Sequence, residues 1–190
     1  MRFVLFCLFT FACLLSSACR PAAAPVSVSN KPVSINDRPT TNVPLPPSKP
    51  ITQMSWTNAE QITQKLSDFK GKAVILDFWA TNCSPCVQEI PHLMALQQKY
   101  GAENLYLVGL HVGDAEDRAE IPDFSKRHNL TYPIAFPDSE LSRLVFSDGD
   151  EIPRTLIIDR NGTVIKLTIG FGPTIEKDLD AAVEQAVKTN

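Results

Sequence analysis

The sequence lacks any run of five like charges, and its formal net charge is only −3 over 190 residues. Such a balance predicts no polyanion-binding surface and no charged tail, so nucleic acid is not an expected partner. Cysteine is scarce as well, at five residues. Cys7 and Cys13 sit inside an apolar run and read as apolar residues there, which leaves Cys19, Cys83 and Cys86. Three thiols are too few for a disulfide framework, and stability must come from a core. His92, His111 and His128 show no ligand spacing, and no internal repeat is visible. With 44% apolar and 21% charged residues, the composition is that of one ordinary globular domain.

The apolar run Phe3 to Leu15 is too short to span a bilayer comfortably, which takes about 18 to 20 residues. It follows Met1-Arg2 and leads into the small residues "SSAC", which is a signal-peptide profile covering residues 1–18. Cys19 also resembles the acylated cysteine of a bacterial lipobox. Ser16 stands where the usual leucine would, so ordinary cleavage after Ala18 competes with that reading. Residues 19–52 hold eight of the fifteen prolines and no apolar periodicity. They read as a semi-rigid tether, lipidated at Cys19, or as a plain disordered N-terminus. The folded domain is expected over residues 53–190.

"AVILDFWA", Ala73 to Ala80, is a continuous β-rich apolar run, as in a strand buried on both faces. "SPCVQEIPHLMALQQKY" places Val87, Ile90, Leu93, Met94 and Leu96 at helical spacing, with Gly101 as its stop. "NLYLVGLHV" reads as a second buried strand. "EDRAEIPDFSKRHN" is a helix that Pro122 interrupts or starts, "LTYPIAF" a short strand, and "SELSRLVFS" a helix capped by Ser139. "RTLIIDRNGTVIKLTIG" divides into two strands about Asn161-Gly162. A final amphipathic helix begins at Pro173. The order βαβαβα then ββα predicts an α/β fold with a mixed central sheet and helices on both faces.

The stretch "FWATNCSPCVQEIP" puts Cys83 and Cys86 between a buried strand and a helix. Three readings of the pair are open: a metal clip, a structural staple and a redox centre. A tetrahedral zinc site needs about four ligands, and only one CxxC-type pair is present. A four-residue disulfide loop constrains the unfolded chain very little. A dithiol at a strand–helix junction is a known redox arrangement, and side chains three apart on a helix lie about 5 to 6 Å from each other. The unpaired N–H groups and positive dipole end at a helix start favour thiolate at Cys83. Cys83 is then the candidate nucleophile and Cys86 the resolving thiol. Pro85 suits the first helical turn, where a missing N–H matters least.

"VILDFWATNCSPC" resembles the active-site segment of the thioredoxin superfamily. With "VQEIP" and the secretion signal, it is similar to the TlpA/ResA-like branch of extracytoplasmic thiol-disulfide oxidoreductases. The resemblance covers roughly residues 54–189 and implies a thioredoxin-like fold with a βα insertion after the active-site helix. The intervening dipeptide is Ser84-Pro85 in place of Gly-Pro, and Asn82 stands where a tryptophan is common. Asp77 matches the buried acid beneath the dithiol, where burial would raise its pKa and let it exchange a proton with Cys86. The competing reading pairs Asp77 with Lys72. Glu89 matches the acid one helical turn beyond Cys86, and its competing role is in the helix dipole. Ile152-Pro153 corresponds to the X-cis-Pro loop, whose backbone pairs with a substrate peptide as an added strand. Trp79 is expected as a partly exposed aromatic flanking the dithiol, contacting substrate with Ile152 and Pro153. Arg154 is expected as a solvated strand-start charge, with thiolate stabilisation as the competing role, and Trp56 has no assignable one.

The resemblance implies thiol–disulfide exchange on disulfide-bearing or dithiol proteins, with no cofactor, at an extracytoplasmic site on a lipid anchor. It implies reduction, as in cytochrome c maturation, with electrons from a membrane donor. Two acids near one dithiol favour that direction, since they oppose thiolate formation. Two other classes stay open: a thiol peroxidase, although Thr81 lies two residues before Cys83 and not three, and a copper- or haem-related chaperone using the dithiol as a soft ligand pair.

Overall fold

The computed structural model describes residues 49–189, so the expected signal peptide, most of the expected tether and Cys19 lie outside the described residues. Seven strands form one mixed sheet: β1 (Ser55–Asn58), β2 (Thr63–Lys65), β3 (Ala73–Trp79), β4 (Leu105–His111), β5 (Ile134–Pro137), β6 (Arg154–Ile158) and β7 (Val164–Ile169). The order across the sheet is β2-β1-β5-β4-β3-β6-β7. Strands β3, β4 and β5 run parallel, and β6, β7, β1 and β2 join by antiparallel pairing. Among the described residues five α-helices accompany them: α1 (Ser84–Tyr100), α2 (Ala115–Ala119), α3 (Ile121–His128), α4 (Ser139–Val145) and α5 (Pro173–Lys188).

Every residue of β3 is buried, as its apolar run, broken only by Asp77, predicts for a central strand with both faces covered. Period-two alternation sends Ala73, Ile75 and Trp79 into one core with Ile90 and Leu93 of α1, Phe124 of α3 and Leu179 and Val183 of α5. Val74, Leu76 and Phe78 point into a second core, closed by Leu141 and Val145 of α4 and by Trp56 and Leu66. Burying each large apolar side chain contributes about 1.5–3 kcal/mol, so both faces of β3 are strongly anchored. Asp77 shares the face of Ile75 and Trp79, beneath α1.

Two expectations need correction, and around Pro122 the proline starts a helix as one of the two readings had it. The β1–β2 hairpin precedes the predicted elements, and Trp56, left without a role, is fully buried and stacks on Phe69 at 5.7 Å. Its strands are short and polar, with no long alternating pattern to announce them. Helix α4 is capped by Asp138, which accepts the Leu141 N–H at 2.7 Å, so Ser139 is the first helical residue. The segment around Pro122 forms two helices, α2 and α3, with Pro122 in the first turn of the second. Together with β5, they supply the extra unit expected after the active-site helix.

Candidate active site

Cys83 ends the loop after β3 and occupies the N-cap of α1. Its Sγ is bonded to that of Cys86, with the Cα atoms 5.3 Å apart, and accepts the Cys86 N–H at 3.2 Å. Pro85 lies in the first turn, where no intrahelical N–H is lost. Cys83 retains 8% exposure and Cys86 only 1%, so the first sulfur is the one that a partner can reach.

Ile152 and Pro153 are joined by a cis peptide bond, and the Ile152 carbonyl oxygen lies 3.7 Å from Cys83 Sγ. Beside this junction opens a cavity of about 570 Å³, lined among others by Asn82, Val112, Arg118, Phe136, Phe146 and Ile152.

Two carboxyl groups lie under the dithiol. Asp77 and Glu89 are 2% and 1% exposed. Asp77 has Gly109 of β4 on one side and Thr155 of β6 on the other. The Thr155 hydroxyl donates to Glu89 Oε1 at 2.7 Å, and the Tyr132 hydroxyl donates to Asp77 Oδ2 at 3.2 Å. Burial pushes Glu89 up to about 7, against a smaller downward effect of the Thr155 bond. Burial, then the charge of Glu89, raises Asp77 well above the carboxylate range. Glu89 Oε2 is buried without a hydrogen-bond partner, which suits a group that holds a proton and releases it nearby. Lys72 does not pair with Asp77: its Nζ donates to the Ala102 carbonyl at 3.0 Å.

Glycine at position 109 is a packing requirement. A Cβ there would stand 2.7 Å from Trp79 Nε1 and 2.9 Å from the Tyr132 ring, so its absence admits the tyrosine to Asp77. Tyr132, Thr155 and Gly109 are the site residues that sequence reasoning missed. None forms a spaced motif with the cysteines; only strand register and loop packing bring them in.

Two side chains depart from expectation. Trp79 is fully buried, stacking on Phe124 at 4.8 Å and meeting His111 edge-on, so it is core beneath the site and cannot touch a substrate. Its place in the buried strand, on the face covered by α1 and α3, decides this. Arg154 is fully buried and not solvated. Its guanidinium donates to the carbonyls of Val145 and Glu151 at 2.6 and 3.0 Å and pairs with Asp148 at 2.5 Å. It thereby ties down the loop leading to Pro153, on the sheet face away from Asp77.

The model of the AhpC/TSA family matches residues 47–167, well over half of the chain. The chain belongs to the AhpC/TSA family. Within that family it is 33% identical over 106 residues to the thiol-disulfide oxidoreductase ResA of Geobacillus thermodenitrificans, covering 56% of this chain and 59% of that one. It is 32% identical over 114 residues to ResA of Bacillus subtilis, covering 60% and 61% respectively. The chain thus spans about three fifths of the length of these curated relatives. Among solved structures, a thiol:disulfide interchange protein of the thioredoxin family from Chlorobium tepidum superposes with a TM-score of 0.58 at 27% identity, covering 74% of this chain and 98% of that one. StoA from Bacillus subtilis shares the fold at a TM-score of 0.53 and 23% identity, covering 70% and 98%. The thioredoxin-like architecture and the resemblance to the ResA-like branch are thus supported by likeness over more than half of the chain, beyond the short cysteine segment.

Proposed function

We propose that the protein is an extracytoplasmic thiol-disulfide oxidoreductase that reduces disulfides in other proteins. The observation that carries this reading is the Cys83–Cys86 pair at the start of α1, above the buried Asp77–Glu89 pair and facing the Ile152–Pro153 loop. In the reduced form, Cys83 thiolate attacks a substrate disulfide, forming a mixed disulfide and releasing one substrate thiolate. Cys86 gives its proton to the Glu89 or Asp77 carboxylate and attacks the Cys83 sulfur. The second substrate thiolate leaves, and two electrons have passed from the protein dithiol to the substrate. A membrane dithiol donor restores the pair.

The substrate strand runs along Ile152, with the neighbouring cavity taking its side chains. Cleavage ahead of Cys19, acylation of that cysteine and the proline-rich tether of residues 19–52 hold the domain of residues 53–190 at a membrane. Disulfide reduction in cytochrome c maturation is the process that this assembly fits.

Direction follows from charge. The two carboxyls interact, burial pushes both upward, and with Glu89 at about 7 the pair is partly ionised at neutral pH. The negative charge left on the pair opposes thiolate at the dithiol and favours a reducing couple. Reduction of insulin by the dithiol protein tests the activity, with Cys83→Ala as the control. A Cys83 pKa near 4 with a strongly oxidising potential would reverse the direction. Peroxide turnover by Cys86→Ala, without insulin reduction by the intact dithiol, would replace the reading with a thiol peroxidase.

A further inference from the structure

We infer that Asp117 is a positioning residue for Cys83, clamping the loop that presents this cysteine through both the N–H and the hydroxyl of Thr81. The inference rests on the proposed role of Cys83 as nucleophile. Thr81 N donates to Asp117 Oδ2 at 3.1 Å, and the Thr81 hydroxyl donates to Asp117 Oδ1. His111, at the end of β4, meets Asp117 Oδ2 through Nε2 at 2.5 Å. The His111 side chain has no exposed surface and the Asp117 side chain 7%, so the clamp works away from competing water.

Three further features show a built arrangement. Asp117 is itself held by its N–H, which donates to Asp114 Oδ1 at 2.9 Å. Position 113 must be glycine, since a Cβ there would stand 2.1 Å from Asp117 Oδ2. His111 Nδ1 is buried without a partner. Burial lowers the His111 pKa against the pull of Asp117, so the neutral ring donates from Nε2. Burial alone would raise Asp117, but the bonds from Thr81 and His111 outweigh it and keep the carboxylate ionised.

The clamp acts on the thiolate through geometry. In the disulfide form the Cys86 N–H lies 3.2 Å from Cys83 Sγ. Once the bond is reduced, a fixed Ala80–Cys83 loop keeps Sγ within reach of that N–H, which supports a sulfur anion. The other ionisable groups around the site include Asp77 from β3, Glu89 from α1 and Tyr132 below the dithiol, Asp114 and Arg118 beside the clamp, and Asp150 on the cavity. Arg118 is engaged 3.9 Å over the Phe136 ring. None of these touches Thr81 in the way that Asp117 does.

The test follows the pH dependence of iodoacetamide alkylation at Cys83 in the reduced full chain, with mass spectrometry locating the adduct. Thr81→Val is expected to raise the Cys83 midpoint by about one pH unit and slow alkylation at pH 7 about tenfold, whereas Asp117→Asn, which also removes a negative charge, is expected to raise it less. Thr81→Ser, which keeps both donors, is expected to behave as wild type. Gly113→Ala, which displaces the carboxylate without removing its charge, is expected to match Thr81→Val. A wild-type alkylation profile in Thr81→Val, or equal impairment in Thr81→Ser, overturns the clamp. If wild-type protein alkylates as expected but reduces no disulfide, the clamp stands and the proposed function falls.

Discussion

Thr155 lies directly across from Asp77 in the β3–β6 register, and its hydroxyl donates to Glu89 at 2.7 Å, so one strand pair joins the two buried acids. This bond favours the ionised form of Glu89. Thr155→Val removes it and should raise Glu89 above about 7, by roughly one unit, since a hydrogen bond to a charged group contributes about 1.5–3 kcal/mol. Carboxyl NMR titration of the oxidised protein reads the shift directly.

Glu89 also makes stability depend on pH. Its folded pKa is about 7 against an ordinary value of 4.5, so the folded state holds this proton more tightly than the unfolded chain does. Between those values the folded state binds more protons, and stability falls as pH rises. The interval corresponds to about 3 kcal/mol, fully lost above about pH 7, and Asp77 acts in the same direction. Glu89→Gln should flatten the slope between pH 4.5 and 7 and exceed wild-type stability at pH 8. Urea unfolding at several pH values checks both.

Gly109→Ala should destabilise the protein by about 1–3 kcal/mol, because the new methyl meets the Trp79 indole and the Tyr132 ring, neither of which has room to retreat. The same variant should also weaken the Tyr132–Asp77 bond. Thermal unfolding measures the first effect, and titration of Asp77 the second.

Arg154→Ala should cost about 2–4 kcal/mol, since the Val145 and Glu151 carbonyls lose a donor and a buried side chain leaves a cavity. Asp148→Asn and Glu151→Gln should leave stability nearly unchanged, because those two side chains are 66% and 70% exposed. Denaturant midpoints of the three variants separate the buried bonds from the surface pairs.

The dithiol, its place at a strand–helix junction and the position of Glu89 one turn further on were legible because they are local in sequence. The apolar run of β3, broken only by Asp77, likewise announced a strand covered on both faces. Trp79 and Arg154 were misread because exposure depends on what the neighbouring elements place over a residue. The α1–α3 face covers the tryptophan, and the 145–151 loop wraps the arginine. Tyr132 lies 55 positions from Asp77, and Thr155 lies 66 from Glu89. No spacing rule spans such separations; they follow only from strand register and the fold.

The central claim is that Cys83 attacks and Cys86 resolves. Reduced Cys86→Ala protein, expressed in its native cell and quenched with acid, tests it most directly. The prediction is a set of mixed disulfides, each linking a partner protein to Cys83, which the intact dithiol releases and Cys83→Ala does not form. Absence of any such adduct, or equal trapping through Cys86 in the Cys83→Ala protein, would contradict it.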